Sequence, residues 1–126
     1  MSDRNVVLVC GGRDFRDEAG LHLALDTLHN MKPITRIVEG GQRTVEDDVI
    51  VGGADYFAKT WASKNRVDRA QYDADWKGGK SAGPLRNQRM LNEERPDLVL
   101  AAPGGKGTAD MVTKALRARV HVIWVG

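Results

Sequence analysis

The sequence predicts an α/β fold in which helices cover both faces of a mostly parallel five-stranded sheet, making a three-layer sandwich. Two observations predict it. Short β-rich runs alternate five times with stretches of helical period along the 126 residues, and such alternation builds a parallel sheet covered on both sides. Glycine-containing turns also recur at the strand-to-helix steps. In such a sheet the turns at the carboxyl ends of neighbouring strands converge on one crevice.

Each element has its own warrant. Asn5 to Cys10 contains the unbroken apolar run Val6-Val7-Leu8-Val9 of a buried central strand. Leu21, Leu25 and Leu28 then recur at i, i+4 and i+7, the core stripe of a first helix. A second strand is expected over Ile34 to Val38. A second helix is expected over Tyr56 to Lys64, where Tyr56-Phe57 and Thr60-Trp61 place aromatics four apart. Arg69 to Tyr72 reads as the third strand, and Ala82 to Glu94 as the third helix with its turn. Asp97 to Ala102 reads as the fourth strand, Ala109 to Arg117 as the last helix and Val120 to Val125 as the last strand. Met111, Val112, Ala115 and Leu116 give the last helix its apolar face, and Trp61 and Trp124 read as core. The chain is expected to be a single domain with one inserted loop at about 40–52, read as a solvated loop or small hairpin between two Gly-Gly pairs. The alternative for that insertion is a lid over the site or an oligomer contact.

Composition narrows the function classes. Hydrophobic residues make up 41% and charged residues 29%, as in ordinary globular proteins. A net charge of +2 without a clustered Lys/Arg block gives no reason to expect a nucleic-acid partner. The single cysteine, Cys10, ends an apolar strand and reads as a buried inert thiol. A polar N-terminus and short apolar runs set the expectation of a cytoplasmic protein without leader or membrane span. His22, His29 and His121 share no spacing with an acid or a thiol. Glu46, Asp47 and Asp48 are neighbours that do not converge on an ion unless a loop is shaped for it. No metal and no cofactor is therefore expected.

The strongest candidate for chemistry is Pro103-Gly104-Gly105-Lys106-Gly107-Thr108, between a strand and a helix. Glycine lets the backbone approach a ligand closely. The free amides and positive end of the following helix favour a phosphate. Thr108 adds a hydroxyl that caps the helix, meets the phosphate, or both. Three other turns occupy the same step: Gly11-Gly12-Arg13-Asp14-Phe15, Gly52-Gly53-Ala54-Asp55 and Ala82-Gly83-Pro84-Leu85-Arg86-Asn87. Arg13 is placed to grip a phosphate. Asp55 is either a helix cap or a contact to a ligand's ribose or base. Arg86 and Asn87 are expected in the first turn of the third helix with Pro84 at its start. A cation there is unfavourable without an anion beside it. Trp76 serves either to stack a base or to cover the sheet edge.

Five motifs occur in order: Gly11-Gly12-Arg13-Asp14-Phe15, Gly53-Ala54-Asp55, Ala74-Asp75-Trp76, Ala82-Gly83-Pro84-x-Arg86-Asn87-x-x-Met90 and Pro103-Gly104-Gly105-x-Gly107-Thr108-Ala109-Asp110-Met111-Val112. In this the chain resembles the YspA/YpsA-related branch of the SLOG superfamily, named for its DNA-processing proteins and LOG enzymes. The resemblance runs from about residue 5 to the end. It implies a Rossmann-like domain that binds a nucleotide or nucleotide-derived ligand, with a homodimer as a further partner. The residues of the glycine turns expected to bind this ligand are Gly12, Arg13, Phe15, Gly53, Asp55, Arg86, Asn87, Pro103, Gly104, Gly105, Gly107 and Thr108.

The LOG enzymes cleave the N-glycosidic bond of a nucleoside monophosphate. Their signature resembles Pro103 to Thr108 followed two residues on by a pair of Glu, the second of which stabilises charge at the reacting sugar. Here those places hold Asp110 and Met111. Asp110 is an acid one helical position off, rotated by about 100°. The resemblance therefore implies a binding protein first. A nucleotide N-glycosidase working through Asp110, Asp55 or Asp14 is second, and a DNA-binding relative of the DNA-processing proteins last.

Overall fold

The computed structural model describes residues 3–125. Five parallel strands form the main sheet: β1 (Val6–Cys10), β2 (Arg36–Glu39), β5 (Asp68–Gln71), β6 (Leu98–Ala101) and β7 (His121–Trp124). They lie in the order β5-β2-β1-β6-β7. Every neighbouring pair is parallel, with Leu8 facing Val38 on one side of β1 and Val99 on the other. Each strand boundary lies within two residues of its sequence expectation.

Helices α1 (Glu18–Met31), α2 (Ala54–Asn65), α3 (Ala82–Glu94) and α4 (Lys106–Arg117) cover the sheet. The strand period of two sorts β1 between two cores. Val7 and Val9 pack with Leu21, Leu25, Phe57 and Trp61 under α1 and α2. Val6, Leu8 and Cys10 pack with Met90, Leu91, Met111 and Ala115 under α3 and α4. The three-layer α/β fold is the one the alternation predicts. Trp124 corrects the sequence reading: it is 57% exposed. It lies on β7, the last strand of the order, and residues on an edge strand need not be enclosed.

The insertion folds as an antiparallel hairpin of β3 (Thr44–Glu46) and β4 (Val49–Gly52). Asp47 and Asp48 form its two-residue turn with φ of 49° and 64°. Both lie in the left-handed region that hairpin turns need and that Asp tolerates. Two acids of the run thus form the turn, and Glu46 ends β3. Among the described residues no cluster of three His, Cys, Asp or Glu could hold a metal. The hairpin leans back on the loop after β1. Thr44 Oγ1 donates to the Arg13 carbonyl (2.6 Å) and to Asp14 Oδ1 (2.8 Å), and the Gly53 amide donates to the Phe15 carbonyl (2.8 Å).

Two helices start earlier than their motifs suggest. Two 3-10 turns over Trp76–Ser81, broken at Gly79 with φ of 79°, lead into α3. Pro84 is therefore the third residue of α3 rather than the first. Proline is tolerated there because the first-turn amides have no helical partner. Arg86 and Asn87 move into the second turn and are buried. Helix α4 starts at Lys106, so Gly107 is inside it.

Candidate functional site

The strand order reverses direction between β1 and β6. The chain leaves β1 toward β2 and β5, then returns to the other side for β6 and β7. Ligands of open α/β sheets bind outside the carboxyl ends of the strands at such a point. Here the two turns touch. The Gly12 amide donates to the Pro103 carbonyl at 2.9 Å. A Cβ on Gly12 would stand 3.1 Å from that oxygen, and one on Gly11 would stand 2.6 Å from Ala54 Cβ and 2.8 Å from Ala102 Cβ. Gly11, Gly12 and Gly104 thus let the two loops close against each other. Nothing lies within 4 Å of a Cβ built on Gly105 or Gly107. Packing does not require those two glycines.

Above them opens a cleft of about 1120 Å³. Gly12, Arg13, Phe15, Arg86, Pro103, Gly104, Gly105, Gly107 and Thr108 of the expected ligand set line it. Sequence reasoning missed Gly11, Gln42, Lys80 and Lys106, which line it too. Lys106 had a signal: it is a cation at a helix start, which needs an anion to be favourable. Four cations, Arg13, Lys80, Arg86 and Lys106, face the cleft against one acid, Asp14. The N-termini of α3 and α4 carry no side-chain cap. Phe15 packs edge-on against Phe57, with ring centroids 6.3 Å apart. Trp76 also lines the cleft, its ring 3.4 Å from where a Gly83 Cβ would stand. It is 57% exposed, leaving ring area open at the mouth.

Gly53 and Asp110 line neither this cleft nor the hollow beneath it. Gly53 has φ of 121°, and a Cβ there would stand 2.7 Å from the Gln42 carbonyl oxygen. Its requirement comes from the hairpin. Asp110 pairs with Lys114 (2.6 Å) and accepts from Asn87 (3.1 Å). Burial pushes its carboxyl up, but the hydrogen bonds from Lys114 and Asn87 and the charges of Lys114 and Arg117 outweigh that and hold it below the usual carboxylate range. It is an anion at neutral pH.

The cleft floor is a hollow of about 20 Å³ holding the buried polar groups. Arg86 Nη1 donates to the Gly40 carbonyl (2.7 Å) and the Tyr72 carbonyl (3.3 Å), and its Nε donates to Asn87 Oδ1 (3.0 Å). Asn87 donates in turn to the Gly107 carbonyl at 3.1 Å, tying α3 to the first turn of α4. Asp55 Oδ2 accepts from the Gln42 amide at 3.1 Å. Asp55 does not cap α2, whose N-cap is Gly53. Burial raises its carboxyl to about 7; the Glu39 charge adds to this, while the Gln42 and Gly40 amides and Arg86 act against it. Cys10 lies beside it. Burial and the Asp55 charge push that thiol up to about 12, so it carries no thiolate at neutral pH.

The raised Asp55 pKa makes stability depend on pH. The folded state keeps a proton that the unfolded chain gives up near pH 4, so the penalty grows as pH rises from about 4 to about 7 and is complete above 7. Asp55→Asn removes this slope. Between pH 5 and pH 8 the variant should gain about 2 kcal/mol on the wild type in urea unfolding. A pH-independent difference would show that Asp55 titrates normally.

A family model of YspA, cpYpsA-related SLOG proteins matches residues 5–79, more than half of the chain. The chain belongs to this SLOG family. The match covers the β1 turn, the hairpin, Asp55 and Trp76 and stops before α3. No curated protein matches the sequence. Among solved structures, a universal stress protein from Archaeoglobus fulgidus superposes with a TM-score of 0.54 at 17% identity, covering 98% of both chains. Glycinamide ribonucleotide transformylase 1 from Symbiobacterium toebii superposes with a TM-score of 0.48 at 15% identity over 90% of this chain. The chain spans 48% of that transformylase's length. The first of these likenesses places the SLOG chain among α/β folds. Among the described residues no helix is long and apolar enough to cross a membrane.

Proposed function

We propose that this SLOG protein binds a nucleotide or nucleotide-derived ligand, with a phosphate at the N-terminus of α4. The observation that carries this reading is the pair Gly105 and Gly107. They open onto the cleft at the start of α4, next to glycines whose close approaches are already explained by packing. A side chain at either place would occupy the space where an anion meets the helix amides. Arg13, Lys80, Arg86 and Lys106 supply the positive field. Trp76 offers a ring face to a base. Family membership fits a nucleotide-related role.

Binding is favoured over cleavage of an N-glycosidic bond. Met111, in the place of the LOG enzymes' second Glu, is fully buried in the core under α4. Asp110 is ionised in its pair with Lys114 and has no proton to give a leaving base.

Calorimetry with AMP, GMP, CMP and UMP tests the proposal, with Gly107→Val as the control variant. At least one nucleotide should bind the wild type. The variant should melt within about 2 °C of it, yet bind roughly tenfold or more weakly. Equal affinity in a folded Gly107→Val variant would remove the α4 N-terminus from the site. Chromatography of the same mixtures should show no free base.

A further inference from the structure

The hollow under the cleft has a chemistry distinct from the anion site above it. Gly11, Gln42, Arg86, Gly107 and Thr108 line both spaces, so the hollow is continuous with the cleft floor. Asp55 and Arg86 both lie against Gly40: a Cβ there would lie 3.2 Å from Asp55 Oδ2 and 2.5 Å from Arg86 Nη1. Both are buried, and among the described residues no ion pair joins them. Asp55 already accepts from the Gln42 amide, and Arg86 already donates to Gly40, Tyr72 and Asn87. A carboxylate and a guanidinium each keep hydrogen-bonding capacity beyond these partners, which a third group in the hollow can use.

The volume decides the size of that group. About 20 Å³ admits a single oxygen-sized group, since about one probe sphere of 10–15 Å³ is the least a water needs. The pair decides its type. A hydroxyl donates one hydrogen bond and accepts others, so it satisfies Asp55 and Arg86 together. A phosphate oxygen could accept from Arg86 but has no hydrogen to give Asp55, and an apolar group would make no hydrogen bond to either. Thr108 adds a hydroxyl to the same wall.

We propose that the hollow between Asp55 and Arg86 is a subsite for one sugar hydroxyl, so that the ligand is a ribonucleotide, chosen over its deoxy analogue. This rests on the nucleotide reading above, with the phosphate at α4 and the sugar turned toward the floor. Asp55 is then a specificity-determining residue. A site built to hydrogen-bond a hydroxyl rejects the analogue lacking it because its own polar groups are left unpaired.

The test is calorimetry of the full chain with AMP, 2′-deoxy-AMP and 3′-deoxy-AMP, repeated with the base that binds best if that is not adenine. The expected result is that one of the two deoxy analogues binds roughly tenfold or more weakly than the ribonucleotide. In Asp55→Ala the ribonucleotide should fall to the affinity of that analogue, while the analogue itself is unchanged. Asp55→Asn, which keeps an acceptor oxygen, should retain part of the discrimination. The comparison of analogues on the wild type needs no variant to fold. Equal affinities for all three ligands would overturn the subsite and leave the nucleotide reading standing. No binding by any of the four ribonucleotides would overturn both.

Discussion

Replacing Arg86 with alanine should unfold the protein more readily than it should merely weaken a ligand. Arg86 is 7% exposed, and its guanidinium holds the carbonyls of Gly40 and Tyr72 and the side chain of Asn87. Through these bonds α3 is fastened to the ends of β2 and β5. Alanine strands two carbonyls and removes the cation nearest the buried Asp55. Breaking a buried polar network around a charge costs about 3–5 kcal/mol. Urea unfolding should show a loss in that range, with a melting temperature lower by ten degrees or more. Arg86→Lys should lie between, because an ammonium keeps the charge without the fork that reaches several acceptors. A melting temperature within two degrees of wild type in Arg86→Ala would show that the network contributes little.

The second large effect belongs to the glycine loop, where neighbouring glycines should behave in opposite ways. A Cβ on Gly104 would collide with the Thr108 side chain and stand 2.6 Å from the Gly12 amide nitrogen. Backbone cannot yield as a flexible side chain does, so Gly104→Ala should cost about 2–3 kcal/mol through overpacking. Gly105→Ala meets open space and should change stability by less than about 0.5 kcal/mol, as surface substitutions do. Denaturation midpoints of the two variants settle the matter. Equal midpoints would mean that the two turns do not press together as described.

These two cases also mark what was legible in the sequence. Val6 to Cys10 reads as a central strand because a strand buried on both faces is apolar throughout, and Val7 and Leu8 are fully enclosed. The glycine turn between β6 and α4 reads from the sequence because its glycines precede a helix, a purely local pattern. The 3-10 turns before α3 were not legible, since Trp76-Lys77-Gly78-Gly79-Lys80-Ser81 carries no helical signal. The role of Arg86 was half legible. Its position argued for an anion, but its first partner is the carbonyl of Gly40, 46 residues earlier, which no local spacing reveals. Gln42 was hidden for the same reason: it reaches Asp55 because the hairpin returns the chain to the sheet. Trp124 misled because hydrophobicity alone does not distinguish an edge strand from a central one.

The central claim is that the amides opening α4 receive the phosphate of a nucleotide. Titration of the nitrogen-15-labelled protein with AMP, or with the nucleotide that calorimetry finds to bind best, measures this directly at each backbone amide. The expected result is a saturable shift of the Gly105, Lys106, Gly107 and Thr108 amide resonances, with smaller shifts at Gly12 and Arg13 across the cleft. Inorganic phosphate should move the first set more weakly and leave the Trp76 indole unmoved. Saturable shifts confined to other parts of the surface, or no shift at α4 at millimolar nucleotide, would contradict the account.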